Sequence, residues 1–359
     1  MHFTTMQPEI IFCVIEGVSM RRLLLLISTL CSFPLMGQNV DIEDFKNHHV
    51  LYGDIGASPA PFVLGYPFGQ NTEKLVYKNN YKPILGLGYA FRWFSLRVAL
   101  PILPGLRKEK YFGQSEQYSL GFDYSFRSFY TDVDLRFVKG YALKDGASFN
   151  TLGTSNSPHL ILPGVGTLNM SLNLWYFRDN AFKMNALQGK RAHFEKEVHT
   201  WYLKNTVNVF GVANEHGSLI PESLQDPTRN ITRSSQLTAL DFGCLPGYAY
   251  ANRINNWQFS GWAGIGPVIQ AKFFTSTSGT NGFLGLAPRY DVRFVGGYSS
   301  TQHFLLLSAT FDNKSIRFNP LEYKQYFYTL RLIGGIRIPA KKVPLKPPNR
   351  PNSAKSPLI

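Results

Sequence analysis

The chain reads as all-β, an antiparallel transmembrane up-and-down β-barrel of about 12 strands, with 14 as the alternative count. Three observations lead there: long stretches of strict two-residue alternation, an amino-terminal export signal, and a composition rich in aromatics but poor in charge. Charged residues make up 17% of the 359 positions and aromatics 14%, whereas soluble proteins carry about 25% charge. Outside the amino terminus no apolar run is long enough for a membrane helix, so a membrane reading rests on strands.

The alternation is cleanest from Tyr118 onward. Tyr118, Leu120, Phe122, Tyr124 and Phe126 alternate with Ser119, Gly121, Asp123 and Ser125. After Arg127-Ser128 the pattern resumes, with Phe129, Val133, Leu135 and Phe137 on one face and Tyr130, Asp132, Asp134 and Arg136 on the other. Such periodicity fits two strands joined by a tight turn and no helix. Leu168 to Tyr176 and Tyr326 to Leu332 repeat it. Strands of about ten residues suit a tilted bilayer crossing. A soluble sandwich would alternate in the same way; strand length, the export signal and the aromatic excess separate the two.

The pattern predicts strands near 50–66, 81–91, 94–101, 116–126, 129–139, 167–177, 202–213, 236–251, 256–273, 283–297, 302–312 and 325–338. Connections at 92–93, 127–128, 252–255 and 298–301 are short. Those at 67–80, 102–115, 140–166, 214–235, 274–282 and 313–324 are long. Alternating short turns and long loops are expected of an outer-membrane barrel with both termini in the periplasm. The connection 178–201 breaks the rule with the charged run Lys190 to Glu197. A helix, a plug or an extension of the flanking strands would each account for it, and extension is the preferred reading; another hairpin there would raise the count to 14. Pro59 and Pro61 predict an irregular first strand, because proline donates nothing to a ladder.

Residues 1–37 have the form of a signal peptide, with Met20 the better start: Arg21-Arg22, the apolar run Leu23 to Met36, then Gly37. Residues 38–48 form a short lead, 49–338 the barrel, and 339–359 a tail. Export removes Cys13 and Cys31 and leaves Cys244 alone, so no intramolecular disulfide is expected. The segment's Glu9, Glu16, Arg21 and Arg22 cancel, and the net charge stays +14. An exported chain has no nucleic-acid partner. Outer-membrane lipid and lipopolysaccharide are the expected counter-charges, with peptidoglycan reached by the tail, whose six prolines and five basic residues predict disorder.

Several segments carry a resemblance: Tyr81-Lys82-Pro83 leading to Leu85-Gly86-Leu87-Gly88-Tyr89 and the Phe94 strand; Ser218-Leu219-Ile220-Pro221; Pro246-Gly247-Tyr248-Ala249-Tyr250 followed by Asn256-Trp257; and Gly297-Tyr298. By these the chain resembles the domain-of-unknown-function 4421 family, a set of predicted Gram-negative outer-membrane barrels, over roughly 45–338. Gly247, Tyr248, Ala249, Tyr250, Asn256 and Trp257 are its most specific part. The resemblance implies a barrel and an envelope location and supplies no catalytic residues.

No catalytic, cofactor or metal site is expected. Gly-x-Ser-x-Gly is absent. His193 and Glu197 stand at helical spacing, but without a His-Glu-x-x-His pattern they read as part of an exposed charged segment. Gly261, Gly264 and Gly266 lie inside a strand with no following helix, which suits close backbone approach rather than a nucleotide loop. Asp123, Asp132, Asp134, Arg136, Arg289, Asp291 and Arg293 fall on the polar face and would line a lumen, as a solute path or as a self-neutralising network. Trp257, Tyr248, Tyr250, Tyr326 and Tyr328 are candidates for interfacial girdles. The expected function is a non-enzymatic narrow channel or a structural or binding barrel. A lipid-modifying hydrolase or acyltransferase, and a soluble periplasmic β-barrel, are the alternatives.

Overall fold

A computed structural model of the chain describes residues 41–68, 72–101, 104–126, 129–149, 157–179 and 182–340. The signal peptide and nearly all of the basic tail lie outside the described residues. Twelve strands close a ring: β2 (His48–Ala57), β5 (Ile84–Phe91), β6 (Phe94–Pro101), β7 (Glu116–Ser125), β8 (Phe129–Leu143), β9 (Leu160–Phe177), β11 (Val198–Asn214), β12 (Gln236–Ile254), β13 (Trp257–Ser276), β14 (Gly279–Ser299), β15 (His303–Arg317) and β16 (Glu322–Pro339), which returns to β2. Every neighbouring pair is antiparallel.

The side chains distribute as in a soluble protein turned inside out. Leu87, Phe242, Ile265, Leu305 and Leu330 are exposed on the outside, while Asp54, Lys204, Asp241, Arg289 and Asp291 are buried within. An apolar exterior this extensive is costly in water. Around the turn end, where both ends of the ring-forming chain lie, Trp201, Tyr248, Tyr250, Trp257 and Tyr298 stand outward, the place an aromatic girdle occupies.

Two more strands make the sheet 14-stranded without adding to the ring. Pro59 and Pro61 interrupt the first strand, so β2 ends at Ala57 and a separate β3 (Phe62–Gly65) pairs with β4 (Lys74–Asn79). This hairpin bridges the loop-end portions of β16 and β8, where the short β2, β5, β6 and β7 no longer reach. Strand β8 switches partner at a bulge between Lys139 and Tyr141. Gly140 there has φ +88, and a Cβ would lie 2.2 Å from the Gln114 carbonyl oxygen, so only glycine fits.

Three expectations are corrected. The β15–β16 connection is the four-residue segment 318–321 rather than a long loop over 313–324, because both strands run past the expected ends. The β13–β14 connection is a two-residue turn, 277–278, rather than a long loop over 274–282, because both strands continue past the expected ends. The segment 178–201 is a plug rather than an extension of flanking strands, and the extra hairpin lies at 62–79 instead. After α1 (Glu109–Phe112), which sits in the β6–β7 loop, α2 (Met184–Gln188) leads to β10 (Ala192–Phe194), which pairs with β1 (Ile42–Asp44). Only from Val198 does β11 begin.

The plug closes the turn end of the lumen. Phe182, Met184, Leu187 and Phe194 pack against Trp175, Phe177, Trp262 and Phe304 of the wall. Its carbonyls, which a short helix leaves unsatisfied, accept hydrogen bonds from inward side chains. Gln258 Nε2 donates to Ala186 O at 2.6 Å, Ser260 Oγ to Leu187 O at 2.5 Å, and Arg337 to Gly189 O at 2.6 Å and Lys190 O at 2.8 Å. A second apolar cluster fills the loop end. Phe62, Tyr77 and Tyr141 meet there with Leu219 and Ile220, and the Tyr77 hydroxyl donates to Leu219 O.

Candidate functional site

Between these apolar layers lies a charged chamber. The inward positions of its strands carry polar side chains, and the plug caps it from below. Cavities of about 130 Å³ and 70 Å³ open within it, sharing Asp134, Arg136, Arg293 and Arg331 in their walls.

Most of its charges are paired, in separate clusters, while Arg331 keeps a buried Nε without a hydrogen-bond partner. Arg97 grips Asp54 with two bonds, Nη2 to Oδ1 at 2.6 Å and Nε to Oδ2 at 2.7 Å, and also donates to Ser119 at 3.2 Å. Arg136 pairs with Asp134 at 2.7 Å. Arg293 bonds Asp291 at 3.1 Å and lies 3.7 Å from Asp132, whose Oδ1 accepts the Trp175 indole N–H at 2.7 Å. Lys204 donates to Asp291, and the Lys204 and Arg293 cations sit 4.8 and 5.3 Å from the Trp175 ring centroid. Toward the loop end Arg289 binds Asp241, with Gln270 donating to the same carboxylate at 2.8 Å. Such bidentate, mutually satisfied pairs are what keep charge inside a low-dielectric interior.

All seven charges singled out from the sequence face inward. Asp132, Asp134, Arg136, Asp291 and Arg293 share the chamber; Asp123 reaches Arg191 of the plug; Arg289 stands apart with Asp241. Sequence reasoning missed Asp54, Arg97, Lys204, Asp241 and Arg331. Asp54 and Arg97 follow the same alternation as their strands and were legible by parity. The plug residue Arg191 had no such signal.

The family-motif residues divide by face. Gly86 stands directly opposite Asp54, where a Cβ would come within 2.3 Å of Oδ2, and Gly88 lies under the Tyr52 ring. Gly247 and Gly264 lie beneath Tyr202 in the same way. Gly266 approaches the Cys244 carbonyl oxygen, whereas a Cβ at Gly261 would make only ordinary contacts, 3.7 Å from the Arg293 carbonyl oxygen and 3.9 Å from the Phe294 ring. Ala249 is buried between the outward Tyr248 and Tyr250. Asn256 turns the chain and accepts from Ser299 N at 2.7 Å, and Trp257 packs on Tyr298.

His193 and Glu197 form no helical pair, and the run 190–197 is not an exposed segment throughout. Residues 191–194 are buried, with His193 in a strand and its Nε2 2.6 Å from Glu43. Burial, with the Arg253 and Arg337 guanidiniums nearby, pushes His193 down to about 3, so the neutral ring donates to Glu43. Among the described residues no group of three or more His, Cys, Asp or Glu side chains is placed to hold a metal ion.

The sequence profile described as "Domain of unknown function (DUF4421)" matches residues 62–337. No curated protein matches the chain. Among solved structures, the outer membrane protease OmpT of Escherichia coli is similar at 10% identity and TM-score 0.35, covering 82% of this chain and 98% of its own. The toluene transporter TodX of Pseudomonas putida is similar at 8% and 0.28, covering 80% and 89%. The translocator domain of the autotransporter NalP of Neisseria meningitidis is similar at 7% and 0.33, covering 90% and 95%.

Proposed function

Because this chain belongs to the family of the domain of unknown function DUF4421, whose profile covers most of its barrel, we propose an outer-membrane protein whose lumen is a sealed charged chamber rather than a pore. The observation that carries the reading is the layered interior. Apolar clusters fill both ends, and the acids and bases between them are largely paired with each other. Twelve strands fall between barrels filled by side chains and those holding an aqueous channel. The apolar exterior supports a membrane location, and the turn end, where the ring begins at His48 and ends at Pro339, then faces the periplasm.

The barrel is on this reading a structural or binding protein, not an enzyme. Reconstitution into planar bilayers tests it: the wild-type protein is expected to give no stepwise conductance. Regular steps would establish a channel, and lipid turnover in matching proteoliposomes would point to an enzyme at the rim.

A further inference from the structure

Among the described residues the wall has a long discontinuity at one strand. Strand β14 pairs along its whole length with β13, but with β15 only over Asp291–Ser299. Residues 279–290 have no strand partner on that side among the described residues. The upper part of β15 has moved inward instead. Side chains of the hairpin reach its carbonyls, Gln270 Nε2 donating to Ser315 O at 2.8 Å and Lys272 Nζ to Arg317 O.

The displacement leaves a groove of about 430 Å³ between the hairpin and residues 318–320, with Arg229 to Ile231 at its edge. That volume is within the roughly 300–1,000 Å³ of small-molecule sites. Three rings form its wall: Phe274 lies 6.0 Å from Phe283 and 5.6 Å from Phe318, and Phe283 lies 5.9 Å from Phe318. Phe283 is 51% exposed and Leu284 76%, unlike the buried Phe274 and Phe318. An open wall edge, then, gives lateral access to an apolar cleft.

Charge at the groove is one-sided. Lys272 sits 5.6 Å from the Phe318 ring centroid and bonds the Arg317 carbonyl, and neither Lys272 nor Arg317 has a carboxylate partner among the described residues. Only Arg229 of the rim is matched, by Asp226 at 3.8 Å. Two unmatched cations beside an apolar cleft complement an anionic amphiphile. On the outer-membrane reading the groove also lies beyond the lipid: Lys272 comes 15 residues after Trp257 in the same strand, and about ten residues suffice to cross the bilayer.

We propose that this groove binds a long-chain fatty acid, its acyl chain against Phe274, Phe283, Leu284 and Phe318 and its carboxylate at Lys272 and Arg317. A single chain with one charged head matches the cleft and its two cations, and charged hydrogen bonds made partly out of water are the strong ones. The site lies outside the chamber, so its failure leaves the sealed-lumen reading untouched.

The test uses the barrel in phosphatidylcholine nanodiscs, with cis-parinaric acid as the fluorescent probe. Saturable binding at one probe per barrel is expected, with palmitate displacing the probe at about tenfold lower concentration than cetyl alcohol. Lys272→Gln with Arg317→Gln should erase that preference, and Phe283→Asp should weaken binding at least about tenfold. Leu286→Asp, outside the groove, should leave it unchanged. Heat-modifiable gel mobility shows that each variant is folded. Binding no greater than to empty nanodiscs, equal displacement by the alcohol, indifference to Phe283→Asp, or saturation only in dimers would each overturn the proposal.

Discussion

Glycine 86 and aspartate 54 show how single positions build the chamber. A charge buried inside a barrel needs its partner in one geometry, and the Asp54–Arg97 pair has room only because the residue opposite lacks a side chain. Removing one partner of a buried pair strands the other charge, at a cost of about 3–5 kcal/mol. Asp54→Ala is therefore expected to lower stability to urea by about 3 kcal/mol, and Gly86→Ala, which overfills the site, by about 1–3 kcal/mol. Asp54→Asn combined with Arg97→Gln should cost less than the sum of the single changes, since the uncompensated charge is gone. Strictly additive losses would show that the pair is not coupled. The parity of Asp123, Asp132, Asp134 and Arg136 was readable because every second residue of a strand faces the same way. Arg136 stands two places from its partner Asp134 on the same strand, whereas Arg191 and Arg293, the partners of Asp123 and Asp132, lie far along the chain, and those pairings were not legible.

The plug is the element whose behaviour should depend on pH. His193 is held neutral with a folded pKa of about 3, whereas in an unfolded chain it titrates near about 6.5. The undocked state thus binds an extra proton between these values, and docking weakens as pH falls from about 6.5 toward 3. Limited proteolysis of 182–197 is expected to accelerate several-fold between neutral pH and about pH 5 while the barrel stays folded. His193→Gln should remove most of that dependence. A flat profile in the wild type would separate the histidine from plug docking. The sequence pattern did not reveal this element. Its alternation is too short to register, and the charged run Lys190 to Glu197 resembles solvated chain until the wall supplies acceptors and rings for it, as Asp123 does for Arg191 and the Tyr52 ring for Lys190 at 4.7 Å.

The exterior governs the molecule as a whole. With apolar side chains outward and charges inward, the barrel should fractionate with the outer membrane and migrate faster on gels when unheated. Recovery in the soluble periplasmic fraction would return the chain to the alternative of a soluble barrel. Closure follows from the same pattern, since a ring leaves no unpaired strand in the lipid. Among the described residues a long open edge lies on β14 of the β13–β14 hairpin, beyond the crossing length.

What the sequence determined by itself was the wall: strand identity, inward and outward faces, and an even ring of 12, all consequences of a two-residue period acting locally along each strand. Tertiary structure decided the contents of the wall. The β3–β4 hairpin, the plug, the pairing of Asp54 with Arg97 and the groove beside β14 depend on which distant segments meet. Neither periodicity nor composition encodes those meetings, because each is fixed by the closing of the ring and by the space and unsatisfied polar groups it leaves inside.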